Sequence, residues 1–367
     1  MTDEEYMNHA ITLAKKGIGY VNPNPLVGAV TVKDGNIISE GWHEKYGGWH
    51  AERNALNNCN ESLGGATMYV TLEPCCHYGK TPPCTEAILQ HGIKKVVIGC
   101  LDPNSLVSGK GAAILREAGV HVVIGVLQDK CIELNKVFFH YIKTKTPYVV
   151  MKYAMTMDGK IATASGESKW ITGEKAREDV HKSRNQYSSI MVGVGTVIAD
   201  NPSLTCRITG GRNPVRIICD THLNTPIDST LVTTAKAVRT IIATASTNQE
   251  KYKPYLSKGC EILTIRLMEN HIDLNQLMQE LGKIGIDSIL LEGGSTLNFS
   301  ALQSRIVNKV QAYIAPKLFG GSQSKTPVGG MGIQEISNCI FLKNQTVTWF
   351  DEDMLMEGEV DYKCLQE

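Results

Sequence analysis

Four side chains in the first quarter of the chain constrain it more than anything else: His50, Glu52 two positions on, Cys75 behind Pro74, and Cys84. One imidazole and two thiols form a ligand set for Zn²⁺, and three protein ligands leave a tetrahedral ion one position open for water. The ion would lower the pKa of that water toward neutrality. A carboxylate two residues from the histidine can move protons between the water and a departing nitrogen. The order H-x-E…P-C…C therefore points to hydrolytic removal of an amino group from a heterocycle.

Eight residues, Cys76 to Pro83, separate the two cysteines, where the usual nucleobase-deaminase pattern has two. That spacing raises Cys76 and His77 as alternative ligands. Cys84 is favoured because Thr85 to Leu89 reads as a helix opening directly behind it, and a thiolate at a helix N-terminus is stabilised by the dipole. Cys75 follows the strand Met68 to Leu72, stopped by Pro74. A closed structural zinc site would need a fourth ligand and would leave Glu52 without a task.

Composition narrows the partners. Lys and Arg number 37 and Asp and Glu 37, so net charge is zero and nothing favours nucleic acid or a membrane surface. Eleven scattered cysteines fit a reducing compartment better than a disulfide framework. Met1 to Glu5 is acidic and lacks a basic-then-apolar signal, and no apolar run approaches the roughly 20 residues of a membrane span. A cytoplasmic enzyme acting on a small molecule is expected, as a homo-oligomer without nucleic-acid or membrane partners.

The 367 residues suggest two domains. The pattern predicts a helix over 3–16, then a hairpin from Leu26 to Glu40 around Asp34-Gly35. A helix opened by His50 runs to about Asn58. Strands at 67–72, 95–99 and 120–125 alternate with helices at 85–91 and 111–118, which implies a mixed sheet covered by helices on both faces. The polar stretch Lys143 to Pro147 marks the boundary, giving domains 1–145 and 146–367. The second half predicts strands at 148–153, 189–193, 215–219, 240–244, 261–265 and 288–291. Its predicted helices lie at 174–185, 273–284 and 295–303.

Quieter motifs lie in that half. Leu290 to Leu297 reads as a strand, a Gly293-Gly294 turn and a helix start, a ready phosphate cradle whose plainer reading is a tight turn. Val192 to Pro202 reads as a second glycine-containing turn. Arg184 and Arg207 are candidates for a substrate phosphate, since a guanidinium fork matches its oxygens, or else surface charges.

The chain as a whole resembles the bifunctional riboflavin-biosynthesis deaminase/reductases. The resemblance rests on Asn22 to Val30, Gly41-Trp42-His43, His50-Ala51-Glu52 and the ligand loop Pro74 to Cys84. In the second half it rests on Lys152 to Ala162, Ser168 to Gly173, the 192–207 stretch and Glu292-Gly293-Gly294. It implies an α/β protein: an N-terminal cytidine-deaminase-like αβα zinc domain and a C-terminal dihydrofolate-reductase-like α/β domain. The long ligand loop is then this family's own version. Met155 and Met157 are mild departures, where the family more often carries smaller residues.

By that resemblance the zinc ligands are His50, Cys75 and Cys84, with Glu52 as the general acid/base. The reaction implied is hydrolysis of the C2 amine of 2,5-diamino-6-ribosylamino-4(3H)-pyrimidinone 5′-phosphate. NADPH then reduces the ribosyl chain to ribityl. Asn24, His77 and Lys80 are expected to contact the deaminase substrate. NADPH is expected against Ala154, Trp170, Thr196, Asp200, Thr221 and the turn Gly294, Ser295, Thr296, Leu297, Asn298, Phe299 and Ser300. The reductase substrate is expected against Ser168, Arg184, Leu204, Arg207 and Glu292. Lys152 and Glu292 are the groups suspected of proton transfer, unranked by sequence. Trp170 reads, without the resemblance, as a core aromatic. A nucleic-acid deaminase shares the zinc signature but should carry basic patches.

Overall fold

The computed structural model describes residues 1–79, 82–104 and 107–362. Lys80 lies outside them. The chain divides into two compact units, Met1–Lys145 and Thr146–Glu367.

The first unit runs α1 (Asp3–Ala14), β1 (Gly28–Lys33), β2 (Asn36–Trp42), α2 (Ala51–Asn57), β3 (Thr67–Leu72) and α3 (Cys84–Gln90). It continues with β4 (Lys95–Cys100), α4 (Lys110–Glu117), β5 (His121–Ile124), α5 (Gln128–Leu134) and α6 (Lys136–Thr144). The polar stretch from Lys143 thus still carries the end of a helix, where a break had been expected. The sheet order is β2-β1-β3-β4-β5. β1 is antiparallel to β2 and β3, whereas β3, β4 and β5 are parallel. Helices lie on both faces, for a reason two glycines make plain. A Cβ on Gly28 would fall 2.0 Å from the Ala10 carbonyl of α1, and one on Gly41 would fall 2.3 Å from the Ala55 nitrogen of α2. Gly41 pairs with Ala29, the neighbour of Gly28, so the two glycines face opposite sides. Val30, Val70, Val97, Ile98 and Ile88 are fully buried in this core, each contributing about 1.5–3 kcal/mol of transfer free energy.

The second unit begins with β6 (Tyr148–Thr156), α7 (Glu174–Gln186), β7 (Ser189–Gly193), α8 (Val194–Asp200), β8 (Val215–Cys219) and α9 (Thr230–Thr233). Next come β9 (Thr240–Thr244), α10 (Gln249–Ser257), β10 (Glu261–Thr264), β11 (Leu267–Met268), β12 (His271–Ile272) and α11 (Leu274–Lys283). It closes with β13 (Ser288–Leu291), α12 (Ser295–Gln303), β14 (Val307–Ala315), β15 (Phe341–Phe350) and β16 (Asp353–Asp361). The segment after Gly193, expected as a turn, is helix α8. The nine-stranded order is β10-β9-β8-β7-β13-β6-β14-β16-β15. Pairing is parallel from β10 to β14 and antiparallel from β14 to β15. From β7 the chain leads out toward β8, but from β13, beside it, the chain leads the other way to β14. That reversal opens a crevice at the carboxyl ends of β7 and β13, where ligands bind in open α/β sheets.

Candidate functional sites

In the first unit, one strand end and two helix starts converge. Cys75 leaves β3 behind Glu73 and Pro74. The buried Glu73 carboxylate anchors this exit by accepting backbone N–H bonds from Asp102 (3.2 Å), Gly109 (2.9 Å) and Ala112 (3.1 Å). Gly111 allows α4 to press on it, since a Cβ there would sit 2.2 Å from the Pro74 carbonyl. His50 is the extended N-cap residue of α2. Cys84 opens α3, and its N–H donates to Cys75 Sγ (3.3 Å) while the Thr85 N–H donates to the Cys75 carbonyl (3.2 Å). Cys75 thereby satisfies two donors that a helix start leaves open.

Both thiol sulfurs lie 3.4 Å from His50 Nδ1. The three ligand atoms fall within 4.8 Å of one another, the one such group of His, Cys, Asp and Glu among the described residues. Cys76 and the exposed His77 are not in it. The Cys75 thiol is pushed down to about 4, first by the hydrogen bond from Cys84 and then by His50. Cys84 moves the opposite way because it donates to Cys75. A bound cation would favour the ionised form of both sulfurs. The donor set fits zinc: one nitrogen, two sulfurs, three ligands. Glu52, on the first turn of α2, is buried, and that burial raises its carboxyl above the usual range.

Asn24 approaches through a residue the sequence reading did not assign. His43 is buried, its Nδ1 donates to the Trp49 carbonyl (2.9 Å), and Asn24 Nδ2 donates to its Nε2 (3.1 Å). The imidazole stands edge-on to His50 at 5.6 Å between centroids. His43 therefore orients the Asn24 amide, and burial keeps it neutral by lowering its pKa.

In the second unit, a cleft of about 1260 Å³ occupies the crevice at the strand ends. Ala154, Ser168, Trp170, Thr196, Asp200, Leu204, Arg207 and Thr221 all line it, as do Lys152, Arg184 and Glu292. Trp170 is 60% exposed and stacks against the Arg177 guanidinium at 4.8 Å, so it is no core aromatic. Gly294, Ser295, Thr296, Leu297, Asn298 and Ser300 also line the cleft, but Phe299 does not. Its position on α12 turns it instead against Gly330, where a Cβ would fall 2.0 Å from the ring. The helical period takes the residue 299 side chain off the cleft face.

The arginine reading also changes. Arg184 Nε and Nη2 donate to the two oxygens of Glu292 (2.8 and 2.9 Å), and Nη1 donates to the Thr205 carbonyl (3.2 Å). The fork expected to hold a substrate phosphate is filled by a carboxylate. Burial works against the Glu292 charge, yet Arg184 and Lys152 outweigh it and hold the carboxyl at about 2. Lys152 is half-buried, desolvation lowers its pKa, and it stands 5.5 Å over the Tyr313 ring. Gly294 caps α12 without a side-chain bond to its N–H groups, and a Cβ there would meet only Thr196 Oγ1 at 3.4 Å. Gly195 faces open space. The cleft thus fits a dinucleotide whose phosphates approach backbone N–H groups.

Comparison with known proteins bears on both units. Residues 1–100 match the family model of the cytidine and deoxycytidylate deaminase zinc-binding region. Residues 147–356 match the RibD C-terminal domain. The riboflavin biosynthesis protein RibD of Actinobacillus pleuropneumoniae is 59% identical over 357 residues, covering 97% of this chain and 95% of that one. The crystal structure of a diaminohydroxyphosphoribosylaminopyrimidine deaminase/5-amino-6-(5-phosphoribosylamino)uracil reductase from Thermotoga maritima is 41% identical, with a TM-score of 0.85. That alignment covers 98% of this chain and 99% of the other. RibD of Acinetobacter baumannii aligns at a TM-score of 0.88 and 37% identity, covering 98% and 99%.

Proposed function

Since the chain belongs to the RibD family of bifunctional riboflavin-biosynthesis enzymes, we propose that its two units divide the family's two reactions, residues 1–145 deaminating and residues 146–367 reducing. The enzyme hydrolyses the ring amine of the diaminopyrimidinone ribosyl phosphate and then reduces the ribosyl chain to ribityl. Zinc and NADPH are its cofactors.

His50, Cys75 and Cys84 would hold the zinc ion, which when bound would supply an activated water for attack on the amine-bearing carbon. Glu52 carries the proton traffic. Its burial makes it a better proton carrier near neutral pH than a solvated glutamate, so it can take a proton and return it to the ring nitrogen and the departing amine. Asn24, steadied by His43, orients the pyrimidine. His77, exposed on the ligand loop, and Lys80 are the contacts proposed for the substrate phosphate.

When bound, NADPH would supply the hydride; the N–H groups at the start of α12 would hold its phosphates, and Ala154, Trp170, Thr196, Asp200 and Thr221 would line the rest of its site. Ser168, Leu204 and Arg207 face the substrate, and Arg207 is the arginine left for its phosphate. Arg184 positions Glu292 instead. Between Lys152 and Glu292, the proton donor is Lys152. Glu292 is locked by a bidentate pair and far too acidic to hold a proton, whereas the lysine is desolvated and close by. The enzyme works in the cytoplasm as a homo-oligomer, on a small molecule and without nucleic-acid or membrane partners.

The observation that carries this reading is the convergence of His50, Cys75 and Cys84 beside a buried carboxylate. Metal analysis tests it: one zinc per chain is expected, and Cys76 or His77 bound in place of Cys84 would overturn the ligand set.

A further inference from the structure

The cleft of the second unit has an end that the reactions leave unassigned. Lys152, Arg184 and Glu292 gather at one end, and the open cradle of Gly294 lies at its middle. Beyond β7 the wall is formed by Asp220, Thr221, His222 and Asn224 behind β8, and by Asn270 to Ile272. The nicotinamide has to meet the substrate and the diphosphate has to meet the α12 start. The adenosine half is then left for this far end. Its 2′-phosphate is the one feature separating NADPH from NADH, and it needs N–H donors or positive charge.

Between residues 219 and 230 and between 270 and 274, no described lining residue is lysine or arginine. Asp220 is 1% exposed, its Oδ2 accepting from the N–H and hydroxyl of Thr225 at 2.6 and 2.7 Å. The exposed nitrogen-bearing groups are His222, Asn224, Asn270 and His271. Two of these sit on the β11–β12 hairpin, whose strands are two residues each, too short to be stable alone. The hairpin is held at its base. Buried Asp273 caps α11 through the Asn275 and Gln276 N–H groups and accepts from Arg266 Nε at 2.7 Å, while its own N–H donates to the Arg266 carbonyl at 3.0 Å. An anchored base under a polar tip that leans on a cleft is a built wall.

We propose that His222 and His271, assisted by Asn224 and Asn270, bind the adenosine 2′-phosphate and set the preference for NADPH over NADH. This rests on the placement of NADPH in the cleft given above. The test is direct titration of the full-length enzyme at neutral pH with NADPH, NADH and adenosine 2′,5′-bisphosphate. The parent is compared with a His222→Asn/His271→Asn double variant and with Gly294→Val. In the double variant NADPH and the bisphosphate should bind about tenfold more weakly, the scale of a charge-assisted contact, with NADH unchanged. Gly294→Val should weaken both dinucleotides. Equal weakening of NADPH and NADH by the histidine substitutions, or no change in either, would overturn the 2′-phosphate assignment. If Gly294→Val is equally without effect, the placement of NADPH falls as well. Thermal unfolding of each variant confirms that the hairpin and sheet are intact.

Discussion

The two sites differ in how the chain assembles them. The proposed zinc ligands come from two helix starts and one strand end, all within residues 50–84, and their three ligand atoms fit within 4.8 Å. The reductase cleft draws on β6, β7, β8 and β13, and its Arg184–Glu292 ion pair joins residues 108 apart in sequence. A compact metal site declares itself through spacing and residue type. A cleft at strand ends is specified by sheet order, which no local pattern contains.

The contrast can be broken at the metal first. Cys84→Ser should take zinc from one per chain to nearly none and lower ammonia release by at least about a thousandfold, since the ligand set defines the site. Reduction of supplied deaminated substrate should survive, measured as NADPH consumption. Loss of both activities would mean that the tripod supports more than its own unit.

Next comes the proton donor proposed for the cleft. Lys152→Met should lower reductase turnover about 10²- to 10⁴-fold, the usual range for a general acid, without altering NADPH affinity. Desolvation lowers the lysine's pKa, and as the proposed donor it would act in its protonated form. Parental turnover should therefore fall on the alkaline side, earlier than an ordinary lysine would allow. A pH profile flat through that limb would assign the proton elsewhere.

Arg184→Met should act mainly on stability, by about 3 kcal/mol at most, because it strips the part-buried Glu292 of its bidentate partner and leaves only Lys152 to offset the charge. The sign with pH follows from the depressed carboxyl. Its contribution is complete above the ordinary value of 4.5 and is lost as pH falls toward about 2. The variant should lack that acid-side loss of stability in denaturant titrations. Smaller still, Glu73→Gln should cost about 1–3 kcal/mol through mismatched backbone bonds, seen as faster zinc release to a chelator. A zinc-release rate equal to the parent would mean that the β3 exit does not depend on this anchor.

How far the sequence was readable follows the same division. Strand Thr67–Leu72 and helix Ser295–Gln303 lie where periodicity put them, because their apolar spacing is local. Helix Val194–Asp200 was hidden by Gly193 and Gly195, which read as a turn. Strands Val307–Ala315, Phe341–Phe350 and Asp353–Asp361 went unread. The middle one is exposed along most of its length, so its register comes from its partner and not from alternation. The bond between His43 and Asn24 had no signal beyond a histidine in a recognisable stretch. The Arg184–Glu292 pair had none at all.

The most direct test of two separate chemistries in one chain is Glu52→Gln, which keeps the side chain's shape but cannot carry a proton. The measurement is ammonia release from the diaminopyrimidinone phosphate beside NADPH oxidation on the deaminated pyrimidine, using one preparation. Ammonia release should vanish while NADPH oxidation continues at the parental rate. Loss of NADPH oxidation in step with ammonia release, from a variant that retains zinc and unfolds at the parental temperature, would contradict the account.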